Sequence, residues 1–104
     1  MNELKPYEPI HPGEMLREEL EARKIKQKDF AELIQLSYSM LSEILNGKKP
    51  ISADVALRLE AALGVKAYLW VKMQADYNLQ IASLDKNILS RLDSIRHLKA
   101  AMML

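Results

Sequence analysis

The sequence predicts an all-α fold, on three observations. Helix breakers are few: proline stands only at Pro6, Pro9, Pro12 and Pro50, and glycine only at Gly13, Gly47 and Gly64. Between those points apolar residues recur at steps of three and four, the spacing that gives a helix one buried face. No stretch of useful length alternates apolar and polar residues as a half-buried strand would.

The elements follow in order. Residues 1–11 read as an irregular arm. His11-Pro12-Gly13-Glu14 opens a first helix, with proline at a first-turn position and a glutamate near the positive end of the helix dipole. Met15, Leu16 and Leu20 form its apolar stripe. A second helix, about Gln27 to Ile34, points Phe30, Ala31 and Ile34 inward. Ser37 is a good N-cap for a third, whose apolar face is Met40 or Leu41 with Ile44 and Leu45. Asn46-Gly47 closes that helix, because both residues tolerate the left-handed conformation, and Lys48-Lys49-Pro50 does not readily continue it.

Ser52 caps a fourth helix with Asp54 in its first turn and Val55, Leu59, Ala62 and Leu63 on one face, ending at Gly64. A fifth, from about Lys66, carries Leu69, Trp70, Met73 and Tyr77. The tail behaves differently. Ile81, Leu84, Ile88, Ile95, Leu98 and Met102 follow heptad steps once Arg91 takes one seam position, so 80–104 reads as an amphipathic helix. A partner helix or the protein's own core could equally cover it.

A chain of 104 residues can bury one modest core. It has no cysteine, which excludes disulfides and cysteine-based zinc sites. The N-terminus lacks the apolar run of a signal peptide and no segment suggests a membrane span, so a soluble, cytoplasmic protein without membrane contact is expected. The only histidines, His11 and His97, are far apart in sequence. There is no H-E-x-x-H or other close metal spacing and no glycine-rich phosphate loop. The chain is therefore read as a binder rather than an enzyme, with no catalytic residue, no metal and no cofactor.

A formal net charge of +1 does not by itself call for a polyanion partner. The distribution is more informative. Arg23, Lys24, Lys26, Lys28, Lys48 and Lys49 cluster in the middle of the sequence, after an acidic segment holding Glu14, Glu18, Glu19 and Glu21.

Two short helices joined by a brief turn at Gln35-Leu36, with the small Ala31 at their crossing, outline a helix-turn-helix. In that geometry the third helix lies in the DNA major groove. Tyr38, Ser39, Ser42 and Glu43 would face base edges, with the N-cap Ser37 grouped among the DNA-binding residues. Gln27, opening the second helix, is placed to meet a phosphate, and Lys48 and Lys49 to neutralise others. The alternative is that Tyr38, Ser39 and Ser42 are simply a solvated face.

The segments HPGEMLREEL, QKDFAELIQLSYSMLSEILNGKKPISADVALRLEAALG and AYLWVKMQADYNL resemble antitoxins of the HigA type, in the helix-turn-helix family related to phage repressors. The resemblance runs from about Pro9 to Leu79 and rests on HPGE, SEILNGK, IxADxALRL and the spaced Trp70, Gln74 and Tyr77. It implies a five-helix repressor-like domain over residues 12–79, with 80–104 as an additional C-terminal helix contacting a dimer mate or toxin. It also implies a homodimer that binds a palindromic operator in double-stranded DNA, represses its own operon and neutralises a toxin, usually a ribosome-dependent mRNA endonuclease. On that reading Gln27 touches phosphate, and Tyr38, Ser39, Ser42 and Glu43 occupy the base-reading positions.

Trp70, Tyr77, Leu84, Ile88 and Ile95 are the expected dimer or partner contacts; aromatic residues at this spacing fit core or interface better than a ligand box. The glutamates from Glu14 to Glu21 are a solvated face or a surface for a basic toxin. Family members often carry arginine near positions 38 and 40, where this chain has Tyr38 and Met40, and glycine in the turn where it has Gln35. A left-handed Gln35 would cost about 1 kcal/mol. Two rivals remain: a toxin-binding module with little DNA affinity, and a stand-alone transcription regulator.

Overall fold

The computed structural model describes residues 8–104; residues 1–7 of the expected arm lie outside the described residues. The described residues form six helices and no strand: α1 Pro12–Ala22, α2 Gln27–Leu33, α3 Tyr38–Leu45, α4 Ala53–Leu63, α5 Ala67–Ser83 and α6 Lys86–Ala101. Two compact units result, one of Ile10–Tyr77 and one containing Asn78–Leu104.

The first helix starts where the sequence places it. His11 is the N-cap of α1, its Nδ1 accepting the Gly13 N–H at 2.9 Å, and Pro12 occupies the first turn. The Ser37 hydroxyl oxygen accepts the Met40 N–H at 3.0 Å and that of Ser52 the Val55 N–H at 3.2 Å, so the predicted caps of α3 and α4 both form. In this unit three helices end in the same motif, with a left-handed residue after the cap: Lys24 after α1 (φ 58°), Gln35 after α2 (φ 58°) and Gly47 after α3 (φ 75°). In each, two N–H groups beyond the helix return to its last carbonyls; after α2, Gln35 N–H donates to Glu32 and Leu36 N–H to Ala31. The α4 helix ends at Gly64, also left-handed.

The core joins Leu16 and Leu20 of α1, Phe30 and Ala31 of α2, Leu41, Ile44 and Leu45 of α3, Val55, Leu59 and Leu63 of α4, and Trp70 of α5. Leu41, not Met40, is the inward residue of α3; Met15 and Leu69, expected inside, are substantially exposed. Trp70 corrects a sequence expectation. It is fully buried in its own unit, so it is a core residue and not a contact surface. Its indole N–H has no hydrogen-bond partner, which costs about 1–3 kcal/mol. Burying a side chain of about 200 Å² at about 25 cal/mol per Å² recovers more than that.

The second unit corrects another. The expected continuous seam from Ile81 to Met102 is broken, because α5 ends at Ser83 and α6 starts at Lys86. Asp85 causes the break: its carboxylate accepts the Asn87 N–H at 2.8 Å and the Ile88 N–H at 3.2 Å, capping a new helix. Leu84, assigned to the seam, lies outside both helices and is exposed. On α6 Ile88 is half-buried and Ile95 exposed, and none of its residues is fully buried.

Candidate nucleic-acid interface

The helix α3 carries most of the predicted reading residues, and neighbouring elements fix it at both ends. At its entry, Arg58 of α4 donates through Nη1 to the carbonyls of Ile34 (3.1 Å) and Gln35 (2.7 Å), while Asp54 grips the same guanidinium at 2.9 and 3.2 Å. This closes the α2–α3 turn onto α4. An arginine fork suits the task, since it satisfies carbonyls and carboxylate together.

At its exit three contacts converge. Gly13 lies so close to α3 that a Cβ would strike the Ile44 carbonyl oxygen. Arg17 Nη2 donates to the Leu45 carbonyl at 3.2 Å and to Asn46 Oδ1 at 2.8 Å. The His11 side chain packs within van der Waals reach of a Cβ built on Gly47 and meets the Tyr77 ring edge to face at 4.8 Å. Beyond the turn, buried Gln74 of α5 accepts the Ile51 N–H through Oε1 at 2.8 Å. The His-Pro-Gly stretch and Gln74 are thus the braces of α3 and of the loop that follows it.

What α3 leaves uncovered is its opposite ridge. Tyr38 is 55% exposed, Ser39 and Met40 are exposed, and Ser42 and Glu43 are half-buried. Ser37 is exposed, its hydroxyl oxygen engaged by the cap. Gln27 is half-buried as the first residue of α2, and Lys48 and Lys49 are exposed just after α3. Of the expected partner contacts in this unit, Tyr77 is half-buried against His11.

The electrostatics differ from a simple basic patch. Ile10–Tyr77 holds ten basic and ten acidic side chains, so its formal charge is zero. Its three arginines all bind backbone: Arg17 and Arg58 as described, and Arg23 through the Leu63 carbonyl at 3.0 Å and Glu19 at 3.1 Å. Arg23 therefore leaves the basic cluster and serves as the C-terminal cap of α4. Lys72 pairs with Asp76. Among the described residues, no hydrogen bond or ion pair engages the ammonium groups of Lys24, Lys26, Lys28, Lys48 and Lys49.

His11 is held below its usual range by burial, which disfavours the charged ring. A hydrogen bond to the Lys49 backbone and the Glu14 carboxylate oppose this in part. The neutral ring is also the one the cap requires, because Nδ1 must accept.

Sequence reasoning assigned no role to Arg17 or Arg58. The Asp54-Arg58 spacing of four signals a helical ion pair, and Glu19-Arg23 likewise, but nothing local shows which distant carbonyl each guanidinium reaches.

Two helices joined by a tight left-handed turn, the second braced at both ends with one ridge free, define a helix-turn-helix protein. The family model for Helix-turn-helix matches residues 16–70. Virulence-associated protein I of Dichelobacter nodosus is 41% identical over 78 residues, covering 74% of this chain and 72% of that protein. A solved addiction module antidote protein of a HigA family from Coxiella burnetii is 37% identical with a TM-score of 0.68, covering 71% of this chain and 82% of that one. Pseudomonas aeruginosa antitoxin HigA, solved with the higBA promoter, is 32% identical with a TM-score of 0.72, covering 86% and 94%. The chain belongs to the Helix-turn-helix family, in its HigA-type branch.

Proposed function

We propose that the protein is the antitoxin of a type II toxin-antitoxin pair, a cytoplasmic homodimer that represses its own operon by binding a palindromic operator and neutralises its toxin by direct contact. The observation that carries the DNA half is the free ridge of Tyr38, Ser39, Ser42 and Glu43 on a helix fixed at both ends, beside unpaired Lys48 and Lys49. Preorganised side chains lose little on docking, so a short helix of hydroxyls can still select bases, directly or through water. The lysines supply the phosphate contacts that α3 lacks. That the Pseudomonas relative was solved with promoter DNA supports the same reading.

Homodimerisation is supported by exposed apolar residues on α4 and α5, where Leu57 is 61% and Tyr68 69% exposed, with Leu69 and Val71 beside Tyr68 in sequence and also exposed. A palindrome read by two copies requires such a face. The toxin surface is assigned to α1, where Glu14, Glu18 and Glu21 are exposed at helical spacing and would complement the basic surface of a ribosome-dependent mRNA endonuclease. Glutamate-to-lysine changes at these positions should weaken toxin capture; unchanged affinity would sink that assignment.

The zero formal charge of Ile10–Tyr77 favours a second reading, a toxin-binding module with little DNA affinity. Titration against duplexes from the chain's own upstream region and a scrambled control, at low and near-physiological salt, separates the two. Preferential binding that weakens steeply with salt supports the repressor. No preference over the scrambled duplex moves the function to the protein partner.

A further inference from the structure

We infer that Glu43 is a specificity determinant that reads the exocyclic amine of cytosine in the major groove; the inference rests on the DNA-reading role proposed above. Between Gln35 and Gly47 the chain has one charged residue, and it is negative. Glu43 follows Ser39 by one helical turn and so continues the same ridge. Among the described residues its carboxylate makes no hydrogen bond or ion pair, although its backbone carbonyl receives the N–H groups of Lys48 at 2.8 Å and Lys49 at 3.3 Å. The nearest lysines in sequence are thus close in backbone but do not neutralise it.

An ionised carboxylate only accepts hydrogen bonds, and phosphates, guanine N7 and O6 and thymine O4 only accept as well. A reading helix that brings Glu43 to DNA must therefore set it against a donor. The major groove offers two, cytosine N4 and adenine N6. Adenine N6 lies between two acceptors, its own N7 and thymine O4, which repel the second carboxylate oxygen. Cytosine N4 has an acceptor, guanine O6, on one side only and a C–H edge on the other. Cytosine is the base at which the carboxylate gains a donor with least repulsion. The serines of the ridge donate or accept as needed, so Glu43 imposes the strictest choice on it.

The test is selection of duplexes from a randomised pool by the full-length protein and by its Glu43→Gln and Glu43→Ala variants. The unaltered protein should select a cytosine at one symmetric position in each half-site. Glu43→Gln should move that position, and no other, towards adenine, because an amide pairs with N6 and N7 together. Glu43→Ala should abolish preference there. Replacing that cytosine should weaken binding of the unaltered protein about tenfold and leave the Glu43→Ala variant unaffected. The same selected site for all three proteins overturns the role of Glu43 alone. An unaltered protein that selects no sequence overturns the DNA-reading function and this inference together.

Discussion

Replacing Gly13 by alanine tests the joint that seats α3. In an open helix Gly→Ala stabilises by about 0.5–1 kcal/mol, because the unfolded chain loses freedom. Here the new Cβ would run into the Ile44 carbonyl oxygen and lie 3.0 Å from both the Ile44 carbonyl carbon and His11 Nδ1. Neither neighbour has room to yield. Ile44 is fully buried and its carbonyl already accepts the Gly47 N–H at 3.0 Å, while His11 Nδ1 is the α1 cap. Overpacking against such a site costs about 1–3 kcal/mol, and a disturbed cap about 1 kcal/mol more.

Subtracting the helix-propensity gain leaves a net loss of about 2 kcal/mol, or roughly 10 °C in Tm for a chain of this size. Trp70 is the only tryptophan and is fully buried, so its fluorescence reports unfolding directly. Urea titration should show a lower midpoint for Gly13→Ala with an unchanged slope. Glu18→Ala, on the exposed face of the same helix, should shift it little. A Gly13→Ala protein as stable as the original, or more so, would refute the claim that α1 and α3 meet at this glycine.

The His11 cap makes stability depend on pH. Its folded value lies below the ordinary 6.5, so between the two values the unfolded chain binds more protons; this contribution is complete above about 6.5 and declines as pH falls towards the folded value. Urea midpoints measured across that range should fall with acidification, and His11→Asn, a neutral cap, should flatten this component. The left-handed Gln35 predicts a stability order of Gly, then Gln, then Val at this position, each step about 0.5–1 kcal/mol; an inverted order in thermal melts would contradict the turn geometry. Replacing Lys48 and Lys49 together by alanine should weaken all duplexes alike and reduce the slope of log K against log salt by about 2, whereas Tyr38→Ala should change sequence preference. An unaltered selectivity profile for Tyr38→Ala removes that residue from the reading ridge.

Much of this protein is determined locally. Pro12, Ser37, Ser52, Gly47 and Gly64 place helix ends because capping and left-handed geometry involve only residues within a turn of one another, and the structure puts them there. The apolar faces of α2, α3 and α4 were legible for the same reason, since a period of three to four residues fixes which side chains share a face. Asp85 was equally local, yet the heptad pattern across it suggested one helix. The capping bonds to Asn87 and Ile88 prevailed over a seam that buries no residue of α6 fully.

Tertiary structure alone decided how the charged and aromatic residues are used. In the sequence Arg23 reads as part of a basic cluster and Arg17 and Arg58 carry no role, yet each is drawn to a helix-end carbonyl 24 to 40 positions away because half-buried carbonyls without an intrahelical partner need a donor. Trp70 belongs to the core and not to an interface, a distinction the spacing of aromatic residues does not contain, because a buried face and a contact face have the same period. Sequence periodicity says which residues share a face; the neighbours that cover the face are set by chain packing.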